Sequence, residues 1–204
     1  SYSCVYCQVG PTRTTEIIPR EFYTPDQIYQ AVEKHLVQIR EKGDRVDYLT
    51  FVQDGEPTLD SRLSESIERL RPLGIPVAII SNASLIWREE VRESLMKADW
   101  VSLKVDAIDE TLWRLINRPH PSLDHQAILD GMSAFTDDFR GTLATESMIV
   151  TGLNDNDQAV NDLAGVLGKL SPDIAYLSVP TRPPTEKSVH APDEATLNRV
   201  YQVI

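Results

Sequence analysis

Two cysteines, Cys4 and Cys7, are all that the 204 residues contain. A fold stapled by disulfides needs more of them, spread along the chain. Two thiols three residues apart suit metal or redox chemistry in a reducing compartment, which makes a cytoplasmic location the expectation. No apolar run approaches the ~18 residues of a membrane-crossing helix, so no membrane partner is expected. Positive charge is scarce: 20 Lys and Arg stand against 31 Asp and Glu, a net charge of −11. Without a basic field the surface is unsuited to broad nucleic-acid binding or to an anionic membrane surface. No signal peptide and no initiator Met are visible, and the chain is expected to lack its true start. Internal repeats, low-complexity runs and linkers are missing too. What is present is an ordinary mixture, 41% hydrophobic and 25% charged, enough to bury one sizeable core.

Strand and helix patterns alternate from end to end. Thr24-Pro25-Asp26-Gln27 reads as a capping box with proline at the first helical position. Ile28, Val32, Leu36 and Ile39 follow at helical spacing, and Gly43 stops the helix. Residues 46–52, 76–80, 100–105, 143–150 and 174–179 read as five short apolar strands. Helices are expected after each, opened in turn by Asp60, by the 81–84 turn, by Asp109 and then Ser122, by the 151–155 turn, and by Asp193. With no hairpin signal among them, the strands imply an α/β fold, a parallel sheet covered on both faces. An open doubly wound sheet and a barrel, whole or partial, satisfy this pattern equally. In both, ligands bind at the carboxyl ends of the strands. The polar clusters of this sequence fall there.

Cys4-Val5-Tyr6-Cys7 taken alone has three readings: part of a zinc knuckle, a redox dithiol, or two structural thiols. Structural zinc needs four ligands, and His35, His120, His125 and His190 show no paired spacing. Asp54-Gly55-Glu56-Pro57-Thr58 ends the first strand, where Gly55 permits close backbone approach to a ligand and a plain turn is the alternative. Lys104 and Asp106 lie two apart in one strand and share a face. A paired charge is the simplest reading there, although burial also tunes a lysine for proton transfer. Glu146 sits mid-strand as a second partner for Lys104. Arg118-Pro119-His120-Pro121 forbids continuous helix and reads as a stiff corner that presents His120 as a catalytic candidate. Arg182, in the loop 180–184, faces the same rim.

The flanks of the cysteines carry a family resemblance. Ser1-Tyr2-Ser3-Cys4-Val5-Tyr6-Cys7 resembles the last seven residues of the C-x3-C-x2-C motif of radical S-adenosylmethionine (SAM) enzymes. The first cysteine would then fall immediately before Ser1. Tyr6 matches the aromatic residue that precedes the final Cys in that family. Asp54-Gly55-Glu56-Pro57 resembles the family's Gly-Gly-Glu-Pro segment, with Asp54 replacing the first Gly, and lies one helix and one strand after the cysteines. Ser81-Asn82 is similar to the ribose-contacting position, and Glu146 to the acidic residue near the SAM methionine or the substrate. The stretches at 118–121 and 182–184 resemble a subgroup related to the wyosine-synthesising tRNA-modifying Fe–S oxidoreductases.

The resemblance implies a partial (β/α)6, TIM-like barrel with its first strand upstream of Ser1. Residues 1–204 would be one radical SAM core domain, truncated at both ends. It implies Cys4 and Cys7 as ligands of a [4Fe–4S] cluster. Tyr6, Asp54, Gly55, Glu56, Pro57, Ser81, Asn82, Asp106, Glu146 and Arg182 become the cofactor contacts, with Lys104 and His120 the catalytic candidates. The implied reaction is reductive cleavage of SAM to methionine and a 5′-deoxyadenosyl radical that takes hydrogen from a substrate. The protein's share is to bind, orient and exclude water. That substrate is a small molecule, a peptide or an RNA nucleoside, and the electron donor a flavodoxin or ferredoxin. The wyosine enzymes carry a second cluster, and this chain has no further cysteines for one. Two other readings use the same residues differently: a CxxC dithiol oxidoreductase, and a barrel domain that has lost its chemistry.

Overall fold

Five short strands form a single sheet in the computed structural model, which describes residues 1–8, 10, 12, 14–52 and 55–204. They are β1 (Leu49–Phe51), β2 (Val77–Ser81), β3 (Trp100–Lys104), β4 (Thr142–Met148) and β5 (Ile174–Ser178). Their spatial order is their sequence order, β1-β2-β3-β4-β5, and every neighbouring pair is parallel. Right-handed crossovers between such strands place the connecting helices on one face. A doubly wound sheet must instead reverse its order at a switch point. Strand order therefore decides between the two architectures that periodicity leaves open. The fold is an α/β partial barrel, and it is not closed, because β1 and β5 are its two ends.

Local chemistry sets the helix boundaries. α1 (Pro25–Glu41) opens on the expected capping box: Gln27 N–H donates to Thr24 Oγ1, and Thr24 N–H donates back to Gln27 Oε1 at 2.9 Å. Gly43, at φ +78, takes the left-handed turn that ends it. α2 (Leu63–Leu70) starts later than Asp60 suggests. The Asp60 carboxylate accepts from Arg62 N–H at 2.9 Å, forming a turn one step before the helix, which then has no side-chain cap. α3 (Glu89–Leu95) follows β2, and α4 (Glu110–Asn117) is capped by Asp109. α5 (His125–Asp138) is capped by Asp124, not by the expected Ser122, whose N–H is held by His120 Nδ1 at 3.2 Å. α6 (Asp157–Leu170) and α7 (Glu194–Val203) open on Asn156 and Asp193.

The core lies between the sheet and its helices. Ile79, Leu103, Ile116, Ile128, Phe135 and Ile149 are wholly buried there, each side chain contributing about 1.5–3 kcal/mol of transfer free energy. The opposite face is the inside of the partial barrel. Pairing register sets Ile80, Ser102, Ala144 and Ile174 in one row across it, and Lys104, Glu146 and Tyr176 in a row nearer the carboxyl ends. Ser102 and Ala144 in the middle of the first row are buried, whereas Ile80, Ile174 and Tyr176 are exposed.

Two glycine positions predict opposite responses to one substitution. A Cβ at Gly131 in α5 would meet Ile86 O and Trp87 Cα at 2.7 Å, both backbone atoms that cannot swing aside. Gly131→Ala is expected to destabilise by about 1–3 kcal/mol through overpacking. A Cβ at Gly165 in α6 meets nothing within 4 Å, so Gly165→Ala is expected to stabilise by about 0.5–1 kcal/mol. Urea unfolding of both variants reads the two signs.

Candidate functional site

The cysteine segment is gripped from two sides. Along one edge it pairs with the end of α4: Val5 N–H donates to Ile116 O at 2.9 Å and Ser3 N–H to Asn117 O at 3.0 Å. Tyr2 bridges Pro119 in antiparallel fashion, and His120 N–H donates to Ser1 O at 2.9 Å. The proline-flanked corner thus works as a ledge for the cysteines, reached through Arg118 in a left-handed conformation at φ 44. From the other side, Thr185 donates both its N–H and its hydroxyl to Cys7 O, at 3.0 and 2.9 Å. Glu186 N–H reaches Val5 O at 3.1 Å, and its carboxylate pairs with Arg118 at 2.6 Å. Buried Val5 and Tyr6 anchor the loop below, while Cys7 N–H closes a turn onto Cys4 O at 3.1 Å.

Asp106, just past β3, is the hub beneath that loop. Its carboxylate accepts from the Tyr6 hydroxyl, from Asn117 Nδ2 at 2.7 Å and from Met148 N–H at 2.8 Å. Asn154 Nδ2 donates to its backbone carbonyl at 2.8 Å and to Met148 O, tying the ends of β3 and β4 together. Both Asp106 oxygens are thus occupied within the protein. Lys104 lies 3.3 Å from Glu146 and 3.8 Å from Asp106, its ammonium 5.1 Å from the centre of the Tyr6 ring. Burial works against the charge on Lys104, but Asp106 and Glu146 outweigh it and hold its pKa above the ordinary lysine value. It therefore forms a largely buried ion pair with Glu146 and Asp106.

Glu56 organises the neighbouring strand ends. It accepts from Thr58 N–H, from the Thr58 hydroxyl at 2.8 Å, from Ser81 Oγ at 2.7 Å and from Asn82 N–H at 2.7 Å. Burial still pushes its carboxyl above the usual glutamate range, against the pull of those donors. The next residue, Ala83, adopts φ 60, an uncommon conformation for a residue with a Cβ. A cleft of about 1000 Å³ opens beside these groups, lined by Cys4, Tyr6, Cys7, Gly55, Glu56, Pro57, Asn82 and Lys104 among others. Eight of the expected site residues therefore share one cavity. Ser81 and Asp106 stand behind it as buried supports, and Glu146 reaches it only through Lys104. Arg182 is exposed and His120 half-buried, both away from the cavity lining. Asp54 lies outside the described residues.

The Radical SAM superfamily model matches residues 1–167. The chain belongs to the radical SAM superfamily. A UPF0026 protein of Methanocaldococcus jannaschii is 46% identical over 203 residues, covering 100% of this chain and 63% of the relative. In fold, this radical SAM chain is similar to Streptococcus suis SuiB bound to S-adenosylmethionine, at a TM-score of 0.69 and 14% identity over 98% of this chain and 43% of that one. It is also similar to TYW1 with a lysine-pyruvate adduct bound, at 0.66 and 16% identity over 98% and 67%. The chain thus spans less than two thirds of that UPF0026 relative.

Superfamily members generally bind a [4Fe–4S] cluster and SAM, and the donor set here can be tested against that. Two soft thiols on one short loop, both facing the cleft, suit iron–sulfur ligation. Burial, with Asp106 acting in the same direction, pushes the Cys4 thiol up to about 11, so a thiolate there needs a bound cation beside it. Among the described residues no three His, Cys, Asp or Glu gather as a metal site. These two thiols therefore fit as two ligands of such a cluster.

Residues that sequence reasoning missed are Asn117, Thr185, Asn154 and His125. Local sequence gave no signal for Asn117 or Thr185, whose partners across the cysteine loop are distant along the chain, nor for the reach of Asn154 to Asp106. His125 is buried and stacks on Trp113 with ring centres 4.5 Å apart and planes 10° apart, while the Trp113 indole N–H donates to Tyr2 at 3.2 Å. Burial lowers the His125 pKa below its ordinary 6.5. A depressed folded-state value favours neutral imidazole, so its contribution to stability is full above pH 6.5 and is lost as pH falls through the folded value. The midpoint of thermal unfolding is therefore expected to drop on acidification from pH 7.5 to 5.5. His125→Phe, which keeps the stack, is expected to shrink that drop; an unchanged pH slope would contradict this account.

Proposed function

We propose that this chain is the core of an enzyme that cleaves SAM reductively at a [4Fe–4S] cluster and directs the resulting radical to a hydrogen atom of its substrate. The observation that carries this reading is the shared cleft, where Cys4 and Cys7 face Gly55, Glu56 and Asn82. In this reading a cysteine immediately before Ser1 supplies the third thiolate, and a strand upstream of it pairs with the free edge of β1. When bound, the reduced cluster supplies the electron that breaks the sulfonium carbon–sulfur bond of SAM.

The residues of the chain then bind, orient and protect. Glu56 Oε2 carries one protein donor, Asn82 N–H, and keeps acceptor capacity for the SAM amino group beside the Gly55 backbone. Asn82 offers its amide toward the ribose, held in place through Glu56. Lys104, locked as a cation, sets the field under the reacting atoms and excludes a free base from them. The inner face, with Glu146 and Tyr176, receives the substrate: a small molecule, a peptide or an RNA nucleoside. A flavodoxin or ferredoxin in the cytoplasm delivers the electron. No helix of the described residues is long and apolar enough to cross a membrane.

The test uses the full reading frame, purified anaerobically and reconstituted with iron and sulfide. With SAM and dithionite it is expected to release 5′-deoxyadenosine and methionine, and Cys4→Ala or Cys7→Ala is expected to abolish both the product and the bound iron. Absence of iron, together with a reversible Cys4–Cys7 disulfide, would overturn the proposal in favour of dithiol chemistry.

A further inference from the structure

Asn117 closes α4 and is only 2% exposed. Its amide nitrogen lies 2.7 Å from Asp106 Oδ2 and 3.5 Å from Cys4 Sγ. Asp106 is an acceptor here, so the NH₂ end must face the carboxylate; the flipped amide would set oxygen against oxygen. One amide hydrogen is therefore committed to Asp106. The other is left to the sulfur, with the Tyr6 hydroxyl 3.4 Å away, and that hydroxyl is itself drawn to Asp106. The main chain fixes the same geometry independently, because Asn117 O accepts Ser3 N–H at 3.0 Å. Asn117 thus holds the cysteine loop by its backbone and addresses Cys4 by its side chain.

We propose that the Asn117 side-chain N–H···Sγ hydrogen bond to Cys4, aimed by the buried Asp106 carboxylate, sets the reduction potential of the cluster held by that cysteine. This rests on the cluster-binding reading above. Reduction adds negative charge to the cluster and its sulfurs. A fixed donor on a ligand sulfur therefore stabilises the reduced form more than the oxidised one and makes the cluster easier to reduce. Asn117 acts through Cys4, so it is a positioning residue rather than a catalytic one.

The experiment compares the reconstituted full-length protein with Asn117→Leu, which keeps the branched shape of the side chain and removes both N–H groups. Each is titrated with dithionite and mediators, without SAM, and the reduced cluster is followed by electron paramagnetic resonance. At a fixed solution potential the reduced-to-oxidised ratio is expected to fall about tenfold in the variant, or ~59 mV for a one-electron couple. A cluster that assembles with an unchanged ratio overturns the inference. Native protein that takes up no iron overturns the cluster reading itself, a separate result, and the inference falls with it. Should Asn117→Leu fail to fold, protein labelled with heavy nitrogen at asparagine decides alone. It carries Asn82→Ser, so that the asparagine lining the cleft is silent. A hyperfine coupling from labelled nitrogen to the reduced cluster is expected, and its absence overturns the proposal.

Discussion

A carboxylate sealed at the top of β3 holds the working end of this molecule together. The Asp106 side chain has no exposed surface, yet it receives a phenol from the cysteine loop, an amide from α4 and a main-chain N–H from β4. These donors belong to three segments that meet nowhere else in the same way. A buried charge is tolerable only when such donors surround it, and removing the acceptor would strand all of them at once. The requirement runs in both directions: the segments need Asp106, and Asp106 needs the segments in register.

Glu56 is the contrasting case. It too is buried, but its donors come from its own turn and from the adjacent end of β2, and it borders the open cleft. Asp106 has its acceptor capacity spent on architecture, whereas Glu56 keeps one oxygen only lightly used. Two carboxylates at strand ends on either side of β2 therefore divide the labour, one fastening the loop and the other bordering the cleft. Lys104 belongs with the first, since its two acidic neighbours keep it charged.

Much of this was legible from local chemistry. Thr24 with Gln27, Asp109, Asp193 and Gly43 occupy the cap positions that their side chains or backbone freedom demand. The alternation of strands and helices follows from apolar spacing alone. Strand order was not legible, because sequential and reversed orders share one periodicity, and only pairing distinguishes them. Ser122 and Asp60 misled because cap chemistry fits a turn as well as a helix end: Asp60 closes a turn onto Arg62 N–H, and Ser122 lies in a turn held by His120 two residues before the actual cap, Asp124. Within the site, Cys4, Cys7 and Gly55–Pro57 announced themselves as motifs. Asn117 and Thr185 could not, since their partners lie 113 and 178 residues away. His120 and its flanking prolines form a ledge for the cysteine segment, away from the cleft lining.

The clasp between Thr185 and Cys7 has a consequence in time. The thiols leave the ribosome first, and the residue that grips their loop from the far side emerges 178 positions later. At roughly 5–20 residues per second, the loop stays ungripped on that side for on the order of 10–35 s during every round of translation. For that interval the nascent chain carries two thiols on a loop whose far side is not yet fastened. Whatever reaches them first, a metal donor or an oxidant, meets a loop free to adjust around it.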